Sequence, residues 1–399
     1  MFLDLIRRRN PGLIEAAIRL HQQGLLPANT TVIDLDTVEA NAGLLAAGGD
    51  KAGLEVFAMT KQMGRNGDFL ASIKAGGISR VVAVDMECAR AGIRAGLGLG
   101  HVGHLVQVPR AEADAAAAMA PDYWTVFNLD KAREAAAAMA RQGRTANLLI
   151  RIHAEGDRFY PGHEGGFPAE EIVAIAAAVD ALPGARFAGI TTFPALLFDN
   201  DTGKVQPTHN LATLARARDA LARAGRTDIA VNAPGTTSSV MMPALAEAGA
   251  TQAEPGHGLT GTTPLHAIHD LPERPAAVYL SEVSHLHAGR AYCFGGGLYI
   301  DPVFPDYEVR AVVAREPSVD ALASVAIPPP AAIDYYGMID CSGPVKPEVG
   351  DSVVFGFRQQ TFVTRAYTAG IRGISGGNPS VAVIHDAFGR PADWPSQGE

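Results

Sequence analysis

Cysteine is scarce in this sequence. The 399 residues include three cysteines, Cys88, Cys293 and Cys341, which are widely spaced and odd in number. A disulfide framework or a zinc-binding motif needs cysteines at short, regular spacings, and no such spacing occurs. We therefore expect a chain without structural disulfides that works in the reducing cytoplasm.

The sequence also lacks a net positive charge and long apolar runs. The formal net charge is −9, which gives no basic surface for nucleic acid or for an anionic membrane. In the N-terminal segment MFLDLIRRRN the arginines follow a very short apolar run, which is the wrong order for a signal peptide. No apolar run is long enough to span a bilayer, so we expect neither nucleic acid nor a membrane among the partners.

The apolar residues that are present occur in a repeating order. The chain is 47% hydrophobic and 19% charged, which is typical of a globular protein. Alanine-rich helical segments such as KAREAAAAMARQ separate short apolar stretches. The predicted strands lie at 54–60, 80–85, 102–108, 122–127, 146–153, 186–193, 228–232 and 250–254. Eight strands that alternate with helices predict an α/β fold, a (β/α)8 TIM barrel, with a doubly wound open sheet as the alternative.

The pattern changes near residue 275. Segments such as AAVYLSEVSHL, DYEVRAVVA and DSVVFGF read as strands joined by turns, with few helices. We predict three segments on this basis. Residues 1–37 form a helix and a strand that pack with the C-terminal β domain, residues 38–274 form the barrel, and residues 275–399 form the mostly-β domain.

A lysine, Lys61, follows the first predicted barrel strand in the stretch LEVFAMTKQMGRN. Active sites of such barrels lie at the carboxyl ends of the strands, and the loops after strands seven and eight commonly bind phosphate. Here those two loops are NAPGTTSS and EPGHGLTGTT, which are rich in glycine and hydroxyl groups. A lysine and a phosphate site together favour pyridoxal 5'-phosphate over a nucleotide, and no P-loop or Rossmann glycine motif occurs in the required context.

Glu254 ends the eighth predicted strand, so we expect its carboxylate at the barrel mouth. Pyridoxal phosphate is a stronger electron sink when its ring nitrogen is protonated, and a carboxylate beside that nitrogen holds the proton. A carboxylate that merely begins a turn is the alternative. The candidate cofactor-binding residues are Lys61, Thr192, Asn232, Gly235, Thr236, Thr237, Glu254, His257 and Gly258.

The segment TTVIDLDTVEANAGLLAA, followed by Lys61, resembles the fold-type III pyridoxal-phosphate enzymes, the alanine racemase-like group. The whole chain resembles the YhfX-type branch of that group, through RRRNPGLIEAAIRLHQQG, MTKQMGRN, HVGHLVQVP, YPGHEGGF, EPGHGLTGTTPLHA, YCFGGGLY and FVTR. The resemblance implies a barrel, a C-terminal β domain and a homodimer with shared active sites. It also implies that Lys61 forms the imine with the cofactor, and that the glutamate of EPG meets the pyridine nitrogen, where alanine racemases carry an arginine.

Two positions depart from the alanine racemase pattern. Thr192 stands in TTFP where the group usually has a histidine near the cofactor ring. Phe294 aligns with the catalytic tyrosine of the β domain, and a phenylalanine carries no proton. Tyr292 and Cys293 lie beside Phe294 and are the candidates for the second catalytic base.

Other charged and aromatic residues are weaker candidates. Arg158 and Tyr160 follow the fifth predicted strand and are candidates for contact with the substrate, as are Tyr335 and Arg358 in the β domain. The plain alternative for each is a loop or surface residue. The sequence HLH at 285–287 together with Cys293 suggests a metal trio, but histidines on an alternating strand are more often surface residues, so we predict no metal site.

These observations predict a pyridoxal-phosphate enzyme that acts on an amino acid as a racemase or epimerase. In that reading Lys61 holds the cofactor and moves the Cα proton. A lyase of the dehydratase, aldolase or decarboxylase type on the same scaffold is the first alternative. A cofactor carrier without turnover is the second, and the β domain argues against it because the carriers of this group are a barrel alone.

Overall fold

The computed structural model describes residues 1–394, which divide into two compact units. One unit, the barrel unit, comprises Ala42–Thr60 and Ile73–Gly258. The other, the β unit, comprises Met1–Asn41, Lys61–Ser72 and the described residues from Leu259 onward.

The α-helices of the described chain are α1 (Phe2–Arg9), α2 (Pro11–Gln22), α3 (Leu35–Ala52), α4 (Gly67–Ala75), α5 (Met86–Arg94), α6 (Ala113–Ala118), α7 (Leu129–Arg141), α8 (Ile172–Asp180), α9 (His209–Arg223) and α10 (Met242–Glu247). Their boundaries follow local chemistry. Asp85 caps the N-terminus of α5, because its side chain accepts a hydrogen bond from the backbone N–H of Cys88. Asn128 caps the N-terminus of α7 in the same way. No helix among the described residues combines the length and the apolarity that crossing a bilayer requires.

The first strand of the chain, β1 (Thr30–Asp34), belongs to the β unit. The barrel unit contains β2 (Glu55–Val56), β3 (Ala58–Met59), β4 (Arg80–Val82), β5 (Gly98–Val102), β6 (Tyr123–Val126), β7 (Ala146–His153), β8 (Phe167–Pro168), β9 (Ala185–Thr191), β10 (Leu196–Asp199), β11 (Lys204–Pro207), β12 (Ala230–Asn232) and β13 (Gln252–Ala253). Of these, β10 and β11 pair only with each other, as an antiparallel hairpin.

The parallel sheet of the barrel unit closes on itself. β2 and β3 flank Phe57 as two halves of one strand; β2 pairs with β13 and β3 pairs with β4. The order from β2 is β13, β12, β9, β7, β6, β5, β4 and β3, so the ring has eight strands in the described chain when the two halves count once. β8 pairs with the end of β7 outside this ring. The strands are buried on both faces, which explains why they read as continuous apolar runs in the sequence.

One predicted strand is wrong. The third strand is Gly98–Val102, and the chain leaves the sheet where a strand over 102–108 was expected. Two glycines, Gly98 and Gly100, lower the strand propensity of the real segment, whereas LVQV reads as a better strand. The sheet overrides that preference, because β5 pairs with β4 on one side and with β6 on the other.

The β unit is built on a long strand, β14 (Ala277–His287). It continues with β15 (Arg290–Phe294), β16 (Arg310–Ala314), β17 (Leu322–Ala326), β18 (Tyr336–Asp340), β19 (Ser352–Phe355), β20 (Tyr367–Arg372) and β21 (Ser380–His385). Within residues 1–394, β14, β15, β18, β17, β16 and β19 form a closed antiparallel ring. β1 extends the sheet by lying between β14 and β20. The predicted fold class, a parallel α/β barrel with a C-terminal β domain, is confirmed.

Candidate active site

Glu254 follows β13 directly and is buried inside the barrel unit, with 1% of its side chain exposed. Its Oε1 accepts two hydrogen bonds, from Nδ1 of His101 at 2.7 Å and from Nδ2 of Asn232 at 2.9 Å. A carboxylate can only accept here, so the proton on this side of the imidazole lies on Nδ1. The two donors come from different strands, β5 and β12, and hold the carboxylate from two directions.

Each of the two donors is held in turn by a hydroxyl group. Nε2 of His101 is hydrogen-bonded to Oγ1 of Thr125 on β6. Oδ1 of Asn232 accepts a hydrogen bond of 2.7 Å from Oγ1 of Thr191 on β9, which turns the amide nitrogen towards Glu254. All four of these side chains are fully buried. We refer to Glu254, His101, His104, Asn232, Thr125 and Thr191 as the carboxylate network.

The second oxygen of Glu254 is in a different position. Oε2 has no hydrogen-bond partner among the described residues, and Nε2 of His104 lies 3.5 Å from it. His104 is fully buried and its ring lies 5.1 Å from that of His101. A buried carboxylate oxygen without a donor is costly, because desolvation is not offset by a hydrogen bond.

Two opposing effects set the pKa of Glu254. Burial raises the pKa of this carboxyl, but the electrostatic interactions with His104 and His101 and the hydrogen bonds from His101 and Asn232 outweigh burial. The pKa is therefore lowered from its usual value, and the carboxylate is ionised at neutral pH.

The loops after β12 and β13 lie close together. A Cβ atom on Gly235 would lie 2.5 Å from the carbonyl oxygen of Leu196, and one on Gly258 would lie 2.9 Å from that of Thr237. The hydroxyl of Thr237 donates to the carbonyl oxygen of Gly235 at 3.2 Å. Gly235 is therefore required for close packing of its loop against β10, and Gly258 is required for close packing of the two loops against each other.

Hydroxyl groups and one histidine complete this pair of loops. The backbone N–H of Thr236 donates to the carbonyl oxygen of Leu196 at 3.0 Å, so it already has an acceptor. Thr237 and Ser238 are buried, with 2% and 1% exposure, whereas His257 is half-buried. Glycine-rich loops with hydroxyl residues are typical of loops that bind an oxyanion.

A buried arginine, Arg151, lies on β7 and was not among the predicted site residues. Its Nη2 donates to the carbonyl oxygen of His163 at 2.7 Å, while Nε and Nη1 have no hydrogen-bond partner among the described residues. The guanidinium lies 4.8 Å from the ring centroid of Phe127. Burial lowers the pKa of Arg151 to about 10, so the group remains charged at neutral pH.

The loop after β7 carries two of the predicted substrate candidates. The ring of Tyr160 lies 5.8 Å from that of Phe193, and the ring of His163 lies 5.9 Å from the same phenylalanine. Arg158 is exposed; its backbone N–H and carbonyl are both hydrogen-bonded to the side chain of Asn210.

Thr192 is fully buried, and its Oγ1 lies 3.4 Å from the amide nitrogen of Asn210. Its short side chain supplies no ring where the resemblance suggested a cofactor-stacking histidine. Phe193, the next residue, lies 5.9 Å from the ring of His104 in an edge-to-face contact.

Five further candidates belong to the β unit. Lys61 lies two residues beyond β3 in the chain and begins a 3₁₀ turn, Lys61–Met63; its Nζ lies 5.8 Å from the ring centroid of Phe362. Tyr335 is 61% exposed. Arg358 donates two hydrogen bonds to Asp301, at 2.5 and 2.6 Å, so its guanidinium already neutralises a buried carboxylate of this chain.

The two candidates for a second base differ sharply. The ring of Tyr292 is partly exposed and stacks on His285 at 4.6 Å. Cys293 is fully buried in the core of the β unit, and burial raises the pKa of its thiol to about 12. Tyr292 is thus the more accessible proton carrier of the pair.

The residues considered for a metal trio do not share an environment. His285 and His287 are exposed, whereas Cys293 is buried. Within the described chain, His101, His104 and Glu254 have ligand atoms within 4.8 Å of one another. Both ring nitrogens of His101 and Oε1 of Glu254 are already engaged in the hydrogen bonds described above, so we treat this group as a hydrogen-bond network.

A closed parallel barrel joined to an antiparallel β unit defines the alanine racemase-like class of proteins. The chain belongs to this family. Residues 33–264 match the alanine racemase N-terminal domain, and residues 278–381 match the YhfX-like C-terminal domain. The resemblance found in the sequence is therefore confirmed, and this family typically depends on pyridoxal phosphate.

Known proteins of similar sequence and structure support the same assignment. The chain is 40% identical to the uncharacterized protein YhfX of Escherichia coli (strain K12) over 395 residues, 98% of this chain and 99% of that protein. The fold is similar to D-threonine aldolase from Filomicrobium marinum, with a TM-score of 0.65, 20% identity, and coverage of 92% of this chain and 96% of that one. It is also similar to alanine racemase of Clostridium difficile 630, with a TM-score of 0.64, 14% identity, and coverage of 91% and 99%. D-threo-3-hydroxyaspartate dehydratase from Delftia sp. HT23 has a TM-score of 0.64 at 17% identity, with coverage of 89% and 97%.

Proposed function

We propose that the protein is a pyridoxal-phosphate-dependent enzyme that acts at the Cα atom of an amino acid, as a racemase or epimerase. The observation that carries the cofactor assignment is Glu254: an ionised, buried carboxylate with one saturated oxygen and one oxygen that lacks a donor. A protonated pyridine nitrogen is a donor of the right charge for that oxygen.

Three sets of residues in the barrel unit fit three chemical groups of the cofactor. Glu254 would face the ring nitrogen. The loops around Gly235, Thr237 and Ser238 would hold the phosphate through backbone and hydroxyl donors. Arg151 offers two buried N–H groups without an acceptor, which suit an anionic oxygen on the ring. When bound, the group supplies an electron sink for the electron pair left at Cα.

We assign Lys61 the covalent role and the movement of the Cα proton. The support is its place in the chain, two residues beyond β3, together with the family to which the chain belongs. A racemase needs a second proton carrier on the opposite face of Cα. We assign that role to Tyr292, because Cys293 is buried and its raised pKa keeps the thiol protonated.

A lyase is the second candidate, and Glu254 is the observation that favours it. A proton held on the ring nitrogen makes the electron sink stronger, so bonds to Cα other than the C–H bond can be broken. Phe294, which stands where the resemblance placed a catalytic tyrosine, also favours an enzyme that protonates from one face. The non-catalytic carrier is disfavoured because the chain has the complete β unit.

Covalent trapping tests the proposal. The purified protein, incubated with pyridoxal phosphate, should show a visible absorption band that borohydride removes, and peptide mass spectrometry should find the reduced adduct on Lys61. Lys61→Ala should lose both the band and the activity. Lys74→Ala is the matched control. Lys74 is an exposed lysine of α4 whose side chain donates a hydrogen bond to the carbonyl oxygen of Gly96. A protein that stays colourless and inactive after incubation would refute the cofactor assignment.

A further inference from the structure

We propose that His101, His104 and Thr125 are positioning residues that reserve one oxygen of Glu254 for a ring N–H donor, so that the barrel selects a pyridine ring over an equally shaped ring without nitrogen. This inference rests on the proposed function, since it concerns how the chain recognises that cofactor. It assigns a role to three residues outside the predicted site.

The carboxylate network fixes which oxygen is available. Oε1 of Glu254 receives donors at 2.7 and 2.9 Å from His101 and Asn232, which are near-ideal lengths for charge-assisted hydrogen bonds. Rotating the carboxylate would break both bonds at once. Oε2 therefore remains the acceptor that lacks a donor within the described protein.

The donors are themselves oriented, so the arrangement is specified rather than accidental. Thr125 holds Nε2 of His101 and thereby fixes the ring so that Nδ1 faces the carboxylate. Thr191 performs the equivalent task for Asn232, because a hydroxyl that donates to Oδ1 leaves the NH2 group to face Glu254. His101, His104 and Asn232 lie around the carboxylate, Thr125 and Thr191 orient two of them, and all five side chains are buried.

His104 lies beside Oε2 without making a short hydrogen bond to it. Its Nε2 lies 3.5 Å from Oε2, beyond the usual N–H···O length, and the position leaves the oxygen available to another donor. A buried carboxylate oxygen that loses its donor costs free energy, whereas one that gains a charged donor is stabilised. A ligand with a ring N–H should therefore bind more tightly to the network than a ligand of the same shape without one.

Reversible ligands separate this recognition from the chemistry at Lys61. Pyridoxine 5'-phosphate lacks the aldehyde and cannot be linked to a lysine, and its 1-deaza analogue has the same shape with CH in place of nitrogen. Dissociation constants for both are measured on the wild-type chain by isothermal titration calorimetry. We expect the pyridine ligand to bind about 10- to 100-fold more tightly, the preference that one hydrogen bond to a charged group supplies.

Variants then test the positioning role by the ratio of the two dissociation constants. His101→Leu should reduce the preference to within about threefold, because the carboxylate loses its fixed orientation. His101→Asn keeps a donor near Nδ1 and should restore most of the preference, and Thr125→Val should give an intermediate ratio. His104→Leu should also lower the ratio. A purely structural role would weaken both ligands equally and leave the ratio unchanged.

His266→Leu is the matched control. His266 is fully buried and lies 3.6 Å from a buried carboxylate, Glu273, but it belongs to the β unit and not to the carboxylate network. Its substitution should lower stability without changing the ratio. If His101→Leu does not fold, His101→Asn and Thr125→Val still decide the question.

The possible results are distinct. If neither ligand binds, the proposed function fails. If both bind equally to the wild-type chain, the cofactor proposal stands and the selection of the ring nitrogen is refuted. A preference that survives both His101→Leu and His104→Leu overturns the positioning role. Tight binding of Zn²⁺ that excludes pyridoxine 5'-phosphate and is lost in His101→Leu would also overturn it, by making the group a metal site.

Discussion

Replacing Glu254 by glutamine changes one atom of the carboxylate network and leaves its shape intact. In Glu254→Gln the amide oxygen can still accept from His101 and Asn232, at the positions now found 2.7 and 2.9 Å from Oε1. The amide NH2 then takes the place of Oε2 and becomes a donor where an acceptor stood. A protonated ring nitrogen would meet a second donor, so the ring would be held without its proton.

The size of the effect follows from the hydrogen bond that this substitution removes. One hydrogen bond between charged groups is worth about 1.5–3 kcal/mol, which corresponds to about 10- to 100-fold in rate if it is made only in the transition state. Loss of the proton also weakens the electron sink, so we expect the removal of the Cα proton to slow by about 10²- to 10⁴-fold in total. The cofactor should remain bound, because the phosphate loops and Lys61 are unchanged.

Hydrogen–deuterium exchange at Cα measures this step directly. A panel of L- and D-amino acids is incubated with the variant in D2O and followed by NMR, and cofactor content is measured after alkaline release. Glu247→Gln is the matched control, because Glu247 is an exposed glutamate at the end of α10 in the same unit. Exchange at the wild-type rate in Glu254→Gln, with a full complement of cofactor, would mean that Glu254 only begins a turn.

Three other predictions concern the β unit and the assembly. Burial raises the pKa of the Cys293 thiol from 9.0 to about 12, so at alkaline pH the folded chain retains a proton that the unfolded chain releases. This contribution to stability is fully present below about pH 9. The free energy of unfolding then falls by about 1.4 kcal/mol per pH unit as the pH rises towards 12. Urea unfolding of Cys293→Ala should lack this alkaline loss, and identical pH profiles for both proteins would contradict it. Tyr292→Phe should stop conversion of one enantiomer while the other still exchanges its Cα proton; chiral chromatography that finds only a keto acid, ammonia or carbon dioxide, with no mirror-image product, would rule out the racemase reading. Light scattering should find a homodimer, and an active monomer would contradict shared active sites.

The fold could be predicted because its strands are fully buried and its helices are rich in alanine. Both features give a strong signal in the local sequence, as in β7 (Ala146–His153), where five of the eight residues are apolar and buried. The segment Gly98–Val102 lacks such a local signal. Its glycines weaken the signal, and pairing with neighbouring strands, rather than local preference, makes it a strand.

The misplaced strand also concealed part of the candidate site. His101 lies within β5 and His104 lies two residues beyond its end, but a strand over 102–108 put them in the wrong places relative to the barrel. The partner of both histidines, Glu254, lies 153 residues from His101 in the chain, and no local pattern records so distant a contact. The two histidines three residues apart in HVGH were the available signal, since buried imidazoles are seldom placed without a partner.

Arg151 was missed for a different reason. It lies within the apolar run LLIRIH, where a lone arginine is easily taken for a surface residue at an irregular point of the strand. Its burial was informative in retrospect, because a charged group in the middle of a parallel strand must find acceptors or bind an anion. Glu254, by contrast, could be found from its place at the end of the last strand.

The position of β1 determines the order in which the chain can be assembled on the ribosome. This strand is made early, yet its neighbours β14 and β20 are made more than two hundred residues later in the sequence. Until Ala277–His287 and then Tyr367–Arg372 emerge, the backbone N–H and C=O groups of Thr30–Asp34 have no strand to pair with. The nascent chain therefore carries an open strand edge during most of its synthesis, and a message truncated before residue 367 should give a product that aggregates or requires a chaperone.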